Sequence, residues 1–181
     1  MLLEDALPIA NKCLADLTPY CERAEIAGSI RRQKPEVKDI EIVVIPKTET
    51  VNDLFGEPAG EVSLLENSIP NILKAWKAWT IKNGQKHKQI LLPGGMKLDL
   101  FIVTKETWGV QFTIRTGSAD YSKWLVTQRR YGGALPSHAK IEGARVVVHG
   151  KQLETPEEKD FFAFLEIPMP APSERTMPQP K

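Results

Sequence analysis

Apolar residues recur along this chain with two different spacings, and each spacing predicts a different element of secondary structure. Over residues 3–18 they recur close to every 3.6 positions, which predicts an amphipathic helix. Pro8 falls in the first turns of that helix, where proline is tolerated, and Pro19 marks its end. The run from Asp39 to Ile45 is instead rich in β-branched residues and apolar on both faces in its second half, which predicts a central strand.

Turn residues extend the prediction to the rest of the chain. Pro93-Gly94-Gly95 between two β-rich arms predicts a hairpin over residues 88–103. From Pro168 onward the recurring prolines predict an extended or disordered tail, which includes Pro178 and Pro180. The other predicted elements are a strand at 24–27, a helix at 70–81 with Pro70 in its first turn, a strand at 109–115, a helix at 119–130, a strand at 145–149 and a helix at 155–165 with Thr155 as its N-cap.

The composition is that of an ordinary globular protein, with 41% hydrophobic and 26% charged residues among 181. A net charge of +1 excludes a uniformly basic nucleic-acid coat protein and leaves a locally basic face open. Cys13 and Cys21 are too few for a disulfide scaffold or a four-cysteine zinc site, so we expect buried free thiols. The sequence has neither the pattern of a signal peptide nor a run of about 18 apolar residues, so we expect a soluble intracellular protein.

Charge is distributed unevenly along the chain. Residues 48–73 contain five acids and no Lys or Arg, whereas residues 71–98 contain six lysines and no acid. Lysines can neutralise DNA phosphates, while an amphipathic helix with solvated lysines gives the same pattern. We expect the interleaved Trp76 and Trp79 to pack on the sheet rather than to stack on bases. The candidate DNA contacts are Lys74, Lys77, Lys82, Lys86 and Lys88, extended by Lys123, Arg129 and Arg130.

Three acids occur in strand-like apolar surroundings. Asp39 and Glu41 are separated by one residue, so they project from the same face of a strand. Asp99 lies within a second apolar run. Carboxylates are rarely placed there unless they are paired or bind a metal, and oxygen ligands suit Mg²⁺ or Mn²⁺. For the Asp39–Glu41 pair, a solvent-facing edge strand explains the same alternation.

A glycine-serine turn follows the first predicted strand. Gly28-Ser29 exposes backbone N–H groups and a hydroxyl, and Arg31 and Arg32 follow directly. Such a turn can bind phosphate, and arginine adds bidentate contacts to phosphate oxygens. A solvated loop explains the same residues when they are taken alone.

The combination of these motifs, in this order, resembles the nucleotidyltransferase signature of the DNA polymerase beta superfamily. Three further stretches resemble family X DNA polymerases in particular. They are the third-carboxylate strand at 97–103, the turn under the incoming nucleotide at 115–118, and the C-terminal helix with its proline-rich exit at 157–168, followed by Ser173-Glu174-Arg175.

The resemblance implies an α+β fold, with a nucleotidyltransferase palm at 1–105 and a small α+β, thumb-like C-terminal domain at 106–181. It implies a monomeric DNA-directed DNA polymerase that fills short gaps in DNA repair, with primer–template or gapped DNA and dNTPs as substrates. Asp39 and Glu41 would bridge two Mg²⁺ or Mn²⁺ ions, and Asp99 would hold the ion that activates the primer 3′-hydroxyl. The residues implied to bind the nucleotide are Gly28, Ser29, Arg32, Arg115, Gly117 and Ser118.

Two departures from the family keep other functions open. Glu41 stands where these polymerases usually have Asp, and Ile114-Arg115 replaces an aromatic pair. A template-independent or small-molecule nucleotidyltransferase, or a catalytically silent nucleic-acid-binding module, is therefore an alternative. The 181 residues resemble the reduced viral members, so a viral chain would act in the host cell or virion, and otherwise in the cytoplasm or nucleoid. We expect no lyase domain, no helix–hairpin–helix grip, and weak, salt-sensitive DNA binding.

Overall fold

The computed structural model describes residues 1–177, which contain both helices and strands; Pro178 and Pro180 of the predicted tail lie outside this range. The helices are α1 (Leu3–Leu17), α2 (Gly28–Arg31), α3 (Leu64–Trp76), α4 (Lys105–Thr116), α5 (Ala119–Val126) and α6 (Glu158–Phe164). The strands are β1 (Cys21–Ile26), β2 (Asp39–Pro46), β3 (Thr48–Asn52), β4 (Pro58–Ser63), β5 (Trp79–Asn83), β6 (His87–Leu91), β7 (Lys97–Ile102), β8 (Ala139–Glu142), β9 (Arg145–Val148) and β10 (Lys151–Leu153). The prediction of a mixed α+β fold is confirmed.

The main sheet has five strands in the order β1-β2-β7-β6-β5. Strands β2 and β7 are parallel, and every other neighbouring pair in this sheet is antiparallel. The predicted hairpin is confirmed, since β6 and β7 are joined by a 3₁₀ turn at Pro93–Gly95. The prediction of a central β2 is also confirmed, since it has a neighbour on each side.

The two faces of this sheet are covered by different helices. On one face, alternate residues such as Ile40, Ile42 and Leu98 pack against α1 and α3. On the other face, Val43 and Phe101 join a smaller cluster with Trp108 and Phe112 of α4. Because side chains alternate along a strand, the acids next to Ile40 and Leu98 must lie on the α4 face.

A second apolar cluster lies beyond α4. It joins α5 and α6 to the three-stranded sheet β10-β9-β8, with Phe161, Phe162 and Val146 almost fully buried. Both cysteines are buried and free, as predicted. Within residues 1–177, no helix has the length and apolar character needed to cross a membrane.

The helix predicted at 70–81 is misplaced. Helix α3 begins after Ser63, whose hydroxyl accepts a hydrogen bond from the Glu66 N–H at 3.3 Å, and Pro70 lies inside it. The helix ends at Trp76 because Lys77 adopts a left-handed conformation, with φ of 54°. The acidic stretch before α3, for which no element is predicted, forms the exposed hairpin β3–β4.

The strand predicted at 109–115 is wrong, because these residues belong to helix α4. Thr104 and Thr107 form a capping box at its start, and Trp108 and Phe112, one turn apart, pack on the sheet. Gly109 lets the neighbouring chain approach closely, since a Cβ there would lie 2.2 Å from the Thr155 carbonyl oxygen.

The C-terminal part needs three corrections. Helix α5 ends at Val126 rather than at residue 130, and the N-cap of α6 is Glu157 rather than Thr155. The Thr155 carbonyl instead accepts a hydrogen bond from the Gly109 N–H at 3.0 Å. Part of the predicted disordered tail is ordered, since a 3₁₀ turn at Pro172–Glu174 leads to Arg175, whose exposed fraction is 1%.

Candidate active site

Three acidic side chains lie on the α4 face of the main sheet, on its two parallel strands. Asp39 and Glu41 are two positions apart on β2, so both project to this face. Glu41 is in register with Asp99 on β7. The parallel pairing therefore brings Asp99 to the same part of the sheet as Asp39 and Glu41, although Asp99 lies 58 positions beyond Glu41 in the sequence.

Two of these three acids border a cleft of about 1050 Å³. Glu41, Asp99 and Arg115 line it, together with Lys82 and Lys86 from the far edge of the sheet. The turn between β8 and β9 contributes further lining. Typical small-ligand sites measure about 300–1,000 Å³, so the cleft has room for a nucleotide.

The glycine-serine turn lies directly beside Glu41. Gly28 has φ of +63°, and a Cβ built on it would lie 1.9 Å from Glu41 Oε2. Only glycine tolerates both the left-handed backbone and this approach. Because Gly28 has no side chain, the Glu41 carboxylate can pack directly against its backbone.

The carboxylates carry more negative charge than their surroundings neutralise. The pKa of Glu41 is raised to about 7, first by burial and then by the charge of Asp39, while Arg115 and Arg32 oppose the rise. Burial, followed by the charge of Asp99, also raises the pKa of Asp39. Raised carboxyl pKa values in a cleft are typical of functional sites and mark a place where a cation would be stabilised.

Three buried donor atoms around this cluster have no hydrogen-bond partner within residues 1–177. They are Ser29 Oγ, Arg32 Nε and Arg115 Nε. Burial lowers the pKa of both arginines, and the neighbouring acids oppose that shift. An unpaired buried donor costs about 1–3 kcal/mol, so such atoms are expected where a polar ligand completes the site.

The predicted nucleotide-binding turn at Thr116–Ser118 is connected to the glycine-serine turn through Arg32. Arg32 Nη1 donates to the carbonyl oxygens of Thr116 at 2.5 Å and Gly117 at 2.9 Å. Ser118 is the N-cap of α5, and its hydroxyl accepts a backbone hydrogen bond at 3.3 Å. Arg115 lies over the ring of Phe101, 3.9 Å from its centroid, beside the carboxylates. All six predicted nucleotide-binding residues thus lie in two connected segments next to the acids, one at α2 and its C-cap and the other between the end of α4 and the start of α5.

Arg31, the other arginine of the glycine-serine turn, is engaged by the protein itself. It donates to both oxygens of Glu158, at 3.0 and 2.7 Å, and its guanidinium lies over Phe112. Glu158 also forms an ion pair with the buried Arg175. Burial alone would raise the pKa of Glu158, but the hydrogen bonds from Arg31 and Arg175 outweigh it and hold the pKa below its usual range. This pair of ion pairs joins the site to the C-terminal segment.

The predicted DNA contacts differ in how far they are exposed. Lys74, Lys77, Lys82 and Lys86 are exposed. Lys88 is a correction, because only 3% of it is exposed. Its ammonium donates to Asn83 at 2.5 Å and lies 3.0 Å from the Glu66 carboxylate, since this position of β6 faces α3.

The remaining predicted contacts lie in the C-terminal part. Lys123 and Arg130 are exposed. Arg129 is also exposed, but its guanidinium donates to the Leu165 carbonyl at 2.6 Å and to Glu166 at 3.0 Å. Most of its donors therefore hold the end of α6 in place.

The two tryptophans of the lysine-rich segment have different surroundings. Trp76 is buried as predicted, and its Nε1 donates to Asp16 at 2.7 Å. Trp79 is 58% exposed, so the expectation that it packs on the sheet is wrong. Trp79 lies on the edge strand β5 and pairs with Leu91 of β6. This register places its side chain on the same face of the sheet as the carboxylates.

Sequence reasoning missed two side chains that contact Asp99. His87 Nε2 lies 2.6 Å from Asp99 Oδ1, and Gln89 Nε2 donates to the same oxygen at 3.1 Å. Both residues could have been identified from the predicted hairpin. A turn at residues 93–95 sets Gln89 opposite Asp99, and His87 follows on the same face.

The donor chemistry of the cluster fits a divalent cation, since three carboxylates match the oxygen ligands that Mg²⁺ and Mn²⁺ prefer. In their present rotamers, no three acidic, histidine or cysteine side chains of residues 1–177 are grouped closely enough to hold a metal ion. Closing the carboxylates around an ion therefore requires side-chain rotation.

No family model matches this chain, and no curated protein matches it.

Proposed function

We propose that this chain is a nucleotidyltransferase of the family X type, a DNA-directed DNA polymerase that fills short gaps. The observation that carries the proposal is the register of Glu41 with Asp99 on parallel strands, beside Asp39 and above Gly28. Together with the unpaired donors of two adjoining turns, this arrangement provides groups for both a cation and a polyphosphate.

In the proposed reaction, the primer 3′-oxygen attacks the α-phosphorus of a dNTP. The bond from that phosphorus to the pyrophosphate oxygen breaks, and the hydroxyl proton leaves to solvent. Asp39, Glu41 and Asp99 are the residues that would hold two Mg²⁺ or Mn²⁺ ions. Such ions lower the pKa of the 3′-hydroxyl and neutralise the charge of the triphosphate.

The other residues of the site bind and orient the substrates. In this proposal Ser29 and Arg32 donate to the β- and γ-phosphates, and Gly117 and Ser118 shape the pocket below the sugar. Arg115 supplies positive charge next to Glu41 and Asp99. In this proposal residues 1–105 form the palm and 106–181 form the thumb-like domain.

The exposed lysines hold the DNA. Lys82 and Lys86 line the cleft, so their ammonium groups are within the space that a primer–template would enter. The exposed indole of Trp79, on the same face, offers a stacking surface for an unpaired base.

A primer-extension assay tests the proposal. The protein is incubated with Mg²⁺ or Mn²⁺, each dNTP in turn, and either labelled primer–template or the labelled primer alone. We expect incorporation dictated by the template. Equal extension of the single strand would favour a template-independent transferase, and no incorporation with either metal would leave a nucleic-acid-binding module.

Asp99→Ala provides the matching variant. We expect it to abolish incorporation while DNA affinity, measured by fluorescence anisotropy, stays within about twofold, because a carboxylate supplies no phosphate contact. Asp5→Ala, which removes an exposed acid of α1, is the control and should behave as the wild type. Full activity of Asp99→Ala would contradict the proposed role of the cluster.

A further inference from the structure

Both hydrogen bonds to the Asp99 carboxylate, within residues 1–177, end on the same oxygen. His87 Nε2 and Gln89 Nε2 reach Oδ1 at 2.6 and 3.1 Å. A carboxylate in its ionised form only accepts hydrogen bonds, so the His87 tautomer that bonds to that form carries its proton on Nε2. Oδ2 is thereby left to other ligands.

The position of His87 is fixed by a second contact. Its ring stacks on Phe101, with centroids 4.8 Å apart and planes 11° from parallel, and Phe101 is anchored in the apolar cluster under α4. Its partner across the strands is also Phe101, while Gln89 lies directly opposite Asp99. The His87 ring therefore cannot rotate away from Asp99 without losing its stacking on Phe101.

This arrangement opposes the repulsion within the acidic cluster. The charge of Asp99 raises the pKa of both Asp39 and Glu41, so the three carboxylates repel one another in the absence of a cation. Two donors on the far side of Asp99 hold it against that repulsion. Hydrogen bonds to a metal-binding group restrict its rotamers, and losing one typically weakens metal binding about 10- to 100-fold.

We propose that His87 and Gln89 are positioning residues for Asp99, which hold Oδ1 so that Oδ2 is the oxygen offered to a divalent cation. The inference rests on the proposed function, since it assigns a supporting pair to the proposed metal site. The lysine-rich segment at residues 71–98 thus includes a strand, β6, whose side chains contact the site directly.

The test measures Mn²⁺ binding to the full chain by electron paramagnetic resonance of free Mn²⁺, without DNA and with or without dNTP. His87→Phe keeps a ring to stack on Phe101 and removes the donor, whereas His87→Gln keeps a donor. We expect His87→Phe to weaken Mn²⁺ binding about 10- to 100-fold and His87→Gln to restore most of the affinity. His138→Phe is the control, because His138 stacks on His149 in the C-terminal part and should not affect binding.

Two further measurements keep the outcomes distinct. Circular dichroism reports whether each variant is folded. If His87→Phe does not fold, Gln89→Leu removes the other hydrogen bond to Asp99 Oδ1 and tests the same inference. The half-saturating Mg²⁺ concentration for primer extension should rise in parallel, while the dissociation constant for DNA stays unchanged. Wild-type Mn²⁺ affinity in a folded His87→Phe, or equal losses in His87→Phe and His87→Gln, would overturn the inference and leave the proposed function intact. A wild type that binds no Mn²⁺ under either condition would overturn both.

Discussion

Replacing Glu41 by glutamine should make the metal-free protein more stable. The pKa of Glu41 is raised to about 7 in the folded protein, against an ordinary value of 4.5. Between these two values the folded chain holds a proton that the unfolded chain has released, so stability falls as pH rises through this interval. Above pH 7 the folded protein carries a buried charge that Glu41→Gln lacks.

The magnitude follows from the shift itself. A change of one pKa unit corresponds to about 1.4 kcal/mol, so the ionised Glu41 destabilises the folded protein by up to about 3 kcal/mol at pH 8.5. At pH 5 most of that penalty is absent, and the difference between the two proteins falls to about 1 kcal/mol. The gain of the variant must therefore depend on pH.

Urea denaturation in EDTA at pH 5 and pH 8.5 measures this difference. Glu61→Gln is the matched control, because Glu61 is exposed on β4 and its loss should not alter stability by more than about 0.5 kcal/mol at either pH. Adding Mn²⁺ should stabilise the wild type and not Glu41→Gln, since a ligand stabilises only the state that binds it. A gain of equal size at both pH values, or a less stable variant at pH 8.5, would refute the reasoning.

Three further changes test other parts of the structure. Gly28→Ala should reduce primer extension about 100-fold, because its Cβ would displace the carboxylate that now lies 1.9 Å from that position, and steady-state kinetics with a stability control would show it. Changing Lys74 and Lys77 together to Ala should weaken DNA binding and make its dependence on log salt shallower by about 2, measured by anisotropy, while Lys12→Ala, an exposed lysine of α1, should not. Glu158→Gln should cost about 3–5 kcal/mol in urea denaturation at pH 7 and less at low pH, because it leaves two arginines without their counter-charge; unchanged stability at pH 7 would contradict this.

The parts of the fold that were predictable are those where local pattern and tertiary packing agree. Helix α1 has one periodic apolar face, β2 is a β-branched run, and the turn at residues 93–95 defines the β6–β7 hairpin. The three carboxylates of the cluster, Asp39, Glu41 and Asp99, were predictable from the sequence. The register of Glu41 with Asp99 was not, because it depends on a parallel pairing between distant strands.

The errors lie where tertiary contacts override local preference. Residues 109–115 include Val110, Phe112 and Thr113, whose side chains favour a strand, but the capping box before them and the packing on the sheet make them helical. Pro70 resembles the start of a helix, yet α3 continues through it because its apolar face is buried on both sides of the proline. His87 cannot be recognised as a candidate functional residue from local sequence, because only the register of the β6–β7 hairpin brings it next to Asp99.

The Arg31–Glu158–Arg175 connection has a consequence for how the protein is made. Arg31 follows the glycine-serine turn, its partner Glu158 lies 127 positions further along the chain, and Arg175, the other partner of Glu158, follows 17 positions later. At roughly 5–20 residues per second, a ribosome adds Arg175 about 7 to 29 s after Arg31. During synthesis the proposed nucleotide site therefore lacks the connection through Glu158 to Arg175 for that interval.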